Sequence, residues 1–200
     1  YTSIANATLL ATLGPVFTST ISFFQGKKTS RNVYFGLGIA LFGIIIIQYG
    51  DLSLSPKNLL GNALSLLSSL FIAITFTTAA EIRKDTGNVS YGRTLFLIAA
   101  ITIGLIAVIS GVSLIDFQKD HIPWLLFLGL VPSILGHNML NYALKYFSPT
   151  AVASVPLGEP IIASIFGFLI FSESIPSGAM ISAPIILGGI FIVLKYQDTN

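Results

Sequence analysis

No cysteine occurs in the 200 residues, which excludes a disulfide framework, a thiol nucleophile and a thiolate metal site. Charge is nearly as scarce: ten Lys or Arg and eight Asp or Glu make 9% of the chain, where soluble domains carry about 25%. A net charge of +2 supplies no basic surface for a nucleic-acid backbone. No polar stretch outside the apolar runs exceeds about fifteen residues, so there is no room for a separate soluble domain. What the chain does have is apolar surface. With 54% hydrophobic and 12% aromatic residues, a globule of this size could not cover itself with polar groups, and the excess must face a second apolar solvent. The composition is that of an integral membrane protein.

A hydrocarbon core of roughly 30 Å requires about 20 apolar residues at 1.5 Å each. Runs of that length fall at 3–24, 32–49, 58–80, 94–113, 122–145, 149–171 and 177–195. They are separated by GKKTSRN, GDLSLSP, EIRKDTGNVSYGR, IDFQKD, YFSP and SESIPS. A transmembrane barrel would alternate apolar and polar residues, and FGIIII or IPWLLFLGL does not alternate. The fold class expected is therefore all-α, with seven transmembrane helices. The first run has neither a basic leader nor a small-residue cleavage site and so does not read as a signal peptide. The chain reads as part of something longer.

Basic residues in short loops stay on the cytoplasmic side, and alternate loops share a side. One set holds Lys27, Lys28, Arg31, Arg83, Lys84, Arg93, Lys145 and Lys195, while the other holds only Lys57 and Lys119. Tyr1 is thus expected outside and the C-terminal YQDTN in the cytoplasm. On that side Asn88-Val89-Ser90, a glycosylation pattern, would go unmodified.

Shifted by 145 residues, the sequence matches itself: Tyr1 falls on Tyr146, Ser3 on Ser148, Pro15 on Pro160, Ser19 on Ser164, Phe23 on Phe168 and Gly43 on Gly188. The shift carries the first span onto the sixth, five helices on, and an odd number reverses the direction across the membrane. This is the pattern of an inverted-topology repeat, an architecture of many secondary transporters. Spans six and seven would copy spans one and two, so copies of spans three to five would precede Tyr1, giving about ten helices in a 5+5 bundle. Residues 1–50 are then the last two helices of a first repeat and 57–200 a complete second one.

The segment GHNMLNYALKYFSPTAVASVPLGEPIIASIFGFLIFSESIPSGAMISAPIILGGIFIVLK resembles the end of an EamA-type repeat of the drug/metabolite transporter superfamily. GNALSLLSSLFIAITFTTAAEIRK resembles the helix that opens its second repeat. The resemblance implies a transporter, by preference an exporter, of small metabolites or drugs in a plasma or inner membrane. It implies no cofactor. One departure stands out: the glutamate often found after the fourth helix of the family falls on Lys28, whereas its second-repeat copy is present as Glu173.

Glu159 is the foremost candidate for a solute- or proton-binding group. It stands about ten residues into its span, hence about 15 Å deep, where an isolated carboxylate costs about 2.5 to 3.5 kcal/mol. The other acidic residues are expected in loops or tails. Pro156 and Pro160 in PLGEP remove backbone donors and should break the helix there, as should Pro15 in the first span. Under the 145-residue shift Glu159 falls on Gly14, so such a site would not be symmetric.

Ser133, His137 and Asn141 recur at intervals of four in the fifth span, with His137 at a depth similar to that of Glu159 and able to share a proton with it. Asn62, Ser65 and Ser69 form a milder stripe on the third span, joined by Asn6 from the first, as expected of a cavity lining. Each of these polar residues has an alternative use in bonding neighbouring helices. Gly36 with Ala40, and Gly188 with Gly189, read as packing faces. His121 is a lone loop histidine, and Tyr49 and Trp124 sit at span ends as interfacial aromatics do.

No catalytic set and no metal set emerge, and the partners expected are a small solute, lipid and a coupling proton. A seven-helix receptor or retinal protein fits less well, because every lysine lies at a span end or in a loop. A membrane-embedded enzyme would need more than one glutamate and one histidine.

Overall fold

The computed structural model describes residues 1–49, 52, 55–113 and 118–197. Parts of the loops GDLSLSP and IDFQKD, and the last three residues of the C-terminal tail, lie outside the described residues. Among the described residues the secondary structure is entirely helical. Seven stretches are long and apolar enough to cross a membrane: Ile4–Phe24, Arg31–Gln48, Pro56–Asp85, Asn88–Ile109, Lys119–Ala143, Pro149–Phe171 and Ser177–Tyr196.

Five of them lie close to the apolar runs, but the third and fourth reach further toward each other. The third continues to Asp85 and the fourth begins at Asn88. Glu81, Arg83 and Lys84 end the apolar run without ending the helix, since long charged side chains are good helix formers. Lys84 Nζ donates to Glu81 Oε2 across one turn at 2.7 Å. The expectation that Glu159 stands alone among helical carboxylates is corrected accordingly, because Glu81 and Asp85 lie in the last turns of the third span.

The chain divides into two compact units, Tyr1–Thr78 with Phe147–Asn200, and Ala79–Tyr146. In the first, the opening span is split into α1 (Ile4–Ala11) and α2 (Gly14–Phe24), with Pro15 in the first turn of α2. The sixth span is split likewise. It comprises α8 (Pro149–Ser154), a tighter 3₁₀ stretch (Val155–Gly158) and α9 (Glu159–Phe171). Ser3 Oγ accepts from the Asn6 N–H to start α1, and Ser148 Oγ accepts from the Ala151 N–H to start α8.

Beside these spans run α3 (Arg31–Gln48) and α10 (Ser177–Tyr196), which pack along each other. Glycine makes the approach possible. A Cβ on Gly36 would stand 2.8 Å from the Gly189 carbonyl oxygen, and one on Gly189 would stand 2.5 Å from the Ala40 nitrogen. Farther along, the Gly43 position faces Ile186, so rising numbers on α3 meet falling numbers on α10 and the pair is antiparallel. The packing role read for the second glycine pair belongs to Gly189, because nothing lies within 4 Å of a Cβ on Gly188. Around this crossing Ala40, Ile44, Leu157, Ile161, Ile186 and Ile190 form one buried cluster, and Val33, Leu37, Ala151 and Val193 form a second. The two clusters seat α8 and α9 against α3 and α10.

The second unit holds the end of α4 (Leu59–Asp85), α5 (Asn88–Ile109) and the fifth span. That span runs from α6 (Ile122–Leu128) through a wide π-helical stretch (Gly129–His137) into α7 (Asn138–Ala143). Pro132 lies within the wide stretch and has no N–H to continue an α-helical ladder. Along α5, Leu97, Ile101, Leu105 and Ile106 are 55–59% exposed, a face that suits lipid and not water.

Candidate functional site

The direction of Glu159 follows from its neighbours. Leu157 and Ile161, two residues to either side, are both buried against α3 and α10. Two residues correspond to roughly 200° of helical rotation, so the carboxylate faces away from that packing. It is exposed, and among the described residues nothing hydrogen-bonds it. Pro156 and Pro160 break the α-helical ladder, but the carbonyls they free are not left open. The Val155 N–H donates to the Val152 carbonyl and the Glu159 N–H to the Pro156 carbonyl, so 3₁₀ bonds replace the missing ones. The span narrows there and keeps its backbone satisfied, and Glu159 is the first residue of α9.

Asn6 and Asn62 are brought together. Asn62 Oδ1 accepts from Thr2 Oγ1 at 2.6 Å and from Asn6 Nδ2 at 3.3 Å, with Asn6 only 7% exposed. A Cβ on Gly61 would lie 2.5 Å from the Tyr1 carbonyl carbon, and one on Gly14 would lie 3.9 Å from the Ser69 carbonyl oxygen. The first and third spans therefore pack side by side in the same direction. The serines of the stripe turn to their own helix, Ser65 Oγ to the Gly61 carbonyl and Ser69 Oγ to the Leu66 carbonyl. These bonds are of the kind that polar residues in membrane bundles make within and between helices.

In the second unit, His137 ends the π-helical stretch and is exposed. Ser133 Oγ donates to the Leu128 carbonyl at 3.1 Å. Asn141 is 3% exposed, and its backbone carbonyl accepts from Arg83 Nε at 3.1 Å. Arg83 is the residue that sequence reasoning passed over. Counted only as a loop charge, it is 2% exposed and also donates through Nη1 to the Thr86 carbonyl. Its signal was the residue type: arginine's rigid planar fork holds separate acceptors in fixed directions, which the compact, rotatable ammonium of lysine does not.

Among the described residues no three His, Asp or Glu side chains gather into a set that could hold a metal ion. What the first unit offers chemically is one exposed carboxylate at the break of an apolar span, able to take a proton or to pair with a cation.

Residues 59–195 match the EamA-like transporter family. The chain is 25% identical over 197 residues to an uncharacterized transporter of Archaeoglobus fulgidus, covering 97% of this chain and 68% of that protein. It is also 25% identical over 189 residues to the uncharacterized inner membrane transporter YedA of Escherichia coli K12, covering 94% of this chain and 60% of that one. A solved crystal structure superimposes with a TM-score of 0.76 at 14% identity, over 94% of this chain and 66% of the other, which shows a shared fold. With seven membrane-length helices and a family match over most of its residues, the chain is a multi-pass membrane protein that belongs to the EamA-like transporter family.

Proposed function

We propose that this protein is a secondary transporter that exports small metabolites or drugs by alternating access, with Glu159 as the group that binds solute or proton. The observation that carries the reading is the exposed Glu159 carboxylate, turned away from the α3–α10 packing at a proline-flanked break in an apolar span. A group so costly in lipid belongs against protein or in a wet cavity, and intramembrane carboxylates mark solute and proton pathways. His137, at the end of the π-helical stretch, is the second titratable candidate. Asn6 and Asn62 are proposed as polar lining only where their mutual bond opens.

The inverted-repeat reading draws support from local geometry. The 145-residue shift carries the start of α1, Ile4, onto the start of α8, Pro149, and the start of α2, Gly14, onto that of α9, Glu159. It also carries the Ser3 cap onto the Ser148 cap, with Asn6 and Ala151 as the equivalent donors. Helices α3 and α10, equated by the same shift, cross antiparallel, as helices related by an axis in the membrane plane do.

Two measurements test these readings. Full-length protein in proteoliposomes should give saturable flux with some member of a panel of small metabolites and cationic drugs. Turnover of solute into product without flux would replace the transporter with a membrane enzyme. For topology, the cysteine-free chain permits single labels: cysteines at Val89 and Tyr146 should react only from the cytoplasm, and those at Ser55 and Gln118 only from outside. Outside labelling at position 89 would invert the orientation.

A further inference from the structure

We propose that Arg83 is a positioning residue, the central member of a clamp that fixes one end of the fifth span to α4 and α5. All its parts lie in the unit Ala79–Tyr146. Arg83, near the end of α4, reaches the fifth span through Nε, which donates to the Asn141 carbonyl at 3.1 Å. Its Nη1 donates to the Thr86 carbonyl, in the short link between α4 and α5. From the first turn of α5, Asn88 Nδ2 donates to the Asn138 carbonyl at 3.2 Å. One turn on, Gly92 lets the Asn138 side chain lie against α5, since a Cβ there would stand 3.4 Å from Asn138 Cγ and would overlap its Oδ1.

The guanidinium is 2% exposed and, among the described residues, bonds carbonyls and no carboxylate. A buried cation in that setting is held by directional donors, and removing them leaves desolvated carbonyls behind. A charge serving only to set topology could lie in solvent, and lysine would serve as well. The stretch that is held, Asn138–Asn141, directly follows the π-helical segment and His137. Fixing it sets the position of one end of that segment while its other end continues into α6 without these bonds. The clamp stands on geometry alone; its consequence for flux rests on the transport reading.

The test uses the full-length protein, with the pair Gly92→Cys and Asn138→Cys as a reporter. The chain has no other cysteine, and the two positions stand within disulfide reach. The substitution at Asn138 leaves its backbone carbonyl in place for Asn88. In the Arg83 background the pair should oxidise rapidly to near completion. Arg83→Lys keeps the charge and the abundance, yet should slow crosslinking and lower saturable flux, each by at least about tenfold, the scale of a hydrogen bond to a charged group. Once formed, the disulfide should restore flux in the Arg83→Lys protein, because it replaces the tie that arginine supplied. Unchanged crosslinking in Arg83→Lys would overturn the clamp. Slowed crosslinking with flux lost and not restored by the disulfide would overturn the positioning role and place Arg83 on the solute. Slowed crosslinking with flux unaffected would uphold the clamp and count against its link to transport.

Discussion

Replacing Glu159 with glutamine is expected to lower saturable flux by at least about tenfold and to flatten its pH dependence, with the protein present at normal abundance. The magnitude is that of one charged hydrogen bond, about 1.5 to 3 kcal/mol, where each 1.4 kcal/mol is tenfold. Glutamine matches the shape of glutamate and keeps a neutral hydrogen bond, but it can neither carry a charge nor exchange a proton. Folding should be spared. Glu159 faces away from the cluster that Leu157 and Ile161 enter, and nothing among the described residues bonds its carboxylate. A static polar pin between helices would predict the reverse, with flux within about twofold of the parent, because the neutral form alone would suffice. Proton-coupled flux that survives unchanged in the glutamine variant removes Glu159 from the mechanism. A loss of flux that glutamate alone rescues, and aspartate only weakly, would point to a distance-sensitive role for the carboxyl group.

The spans were legible because hydropathy over about twenty residues is a strong signal with a single physical cause, the thickness of the bilayer core. Helix ends were less so. A charge marks where a helix leaves hydrocarbon, and the helix itself continues, as α4 does through Glu81, Arg83 and Lys84 to Asp85. The breaks at Pro15 and at Pro156 with Pro160 were legible as positions, but the sequence pattern did not reveal that 3₁₀ bonds would satisfy the freed carbonyls. Polar stripes report the spacing of side chains and not what each group bonds. Ser65 and Ser69 sit at the spacing of a lining, yet their hydroxyls bond carbonyls three and four residues back, an option open to any serine in a helix. Asn141 recurs at the right interval after His137, and its role in the structure comes from a backbone carbonyl that no side-chain pattern reports. Arg83 was hidden for the same reason, since its partners are the main chain of Thr86 and Asn141.

Reconstituted as these 200 residues alone, the chain is expected to insert and to show no saturable flux. Insertion needs only the hydrophobic signal that each of the seven spans carries by itself. Transport in an inverted-repeat architecture needs more, because the binding site is built between the repeats. The 145-residue shift pairs the first two spans with the last two and leaves the third, fourth and fifth without copies. The coinciding helix starts at Ile4 and Pro149, and at Gly14 and Glu159, fit the same pairing. On this reading the carboxylate of Glu159 would look toward helices supplied by the other repeat. The archaeal relative is matched over 68% of its length and YedA over 60%, so both have room for such helices. Adding about 90 residues that carry three spans ahead of Tyr1 should therefore restore flux, at the bundle size such repeats build. The comparison should be made at equal abundance in the same vesicles, with the Glu159→Gln version of the longer chain as the inactive control. Robust saturable flux from the 200 residues alone would mean that the repeat has been miscounted and that the site is complete within these seven spans.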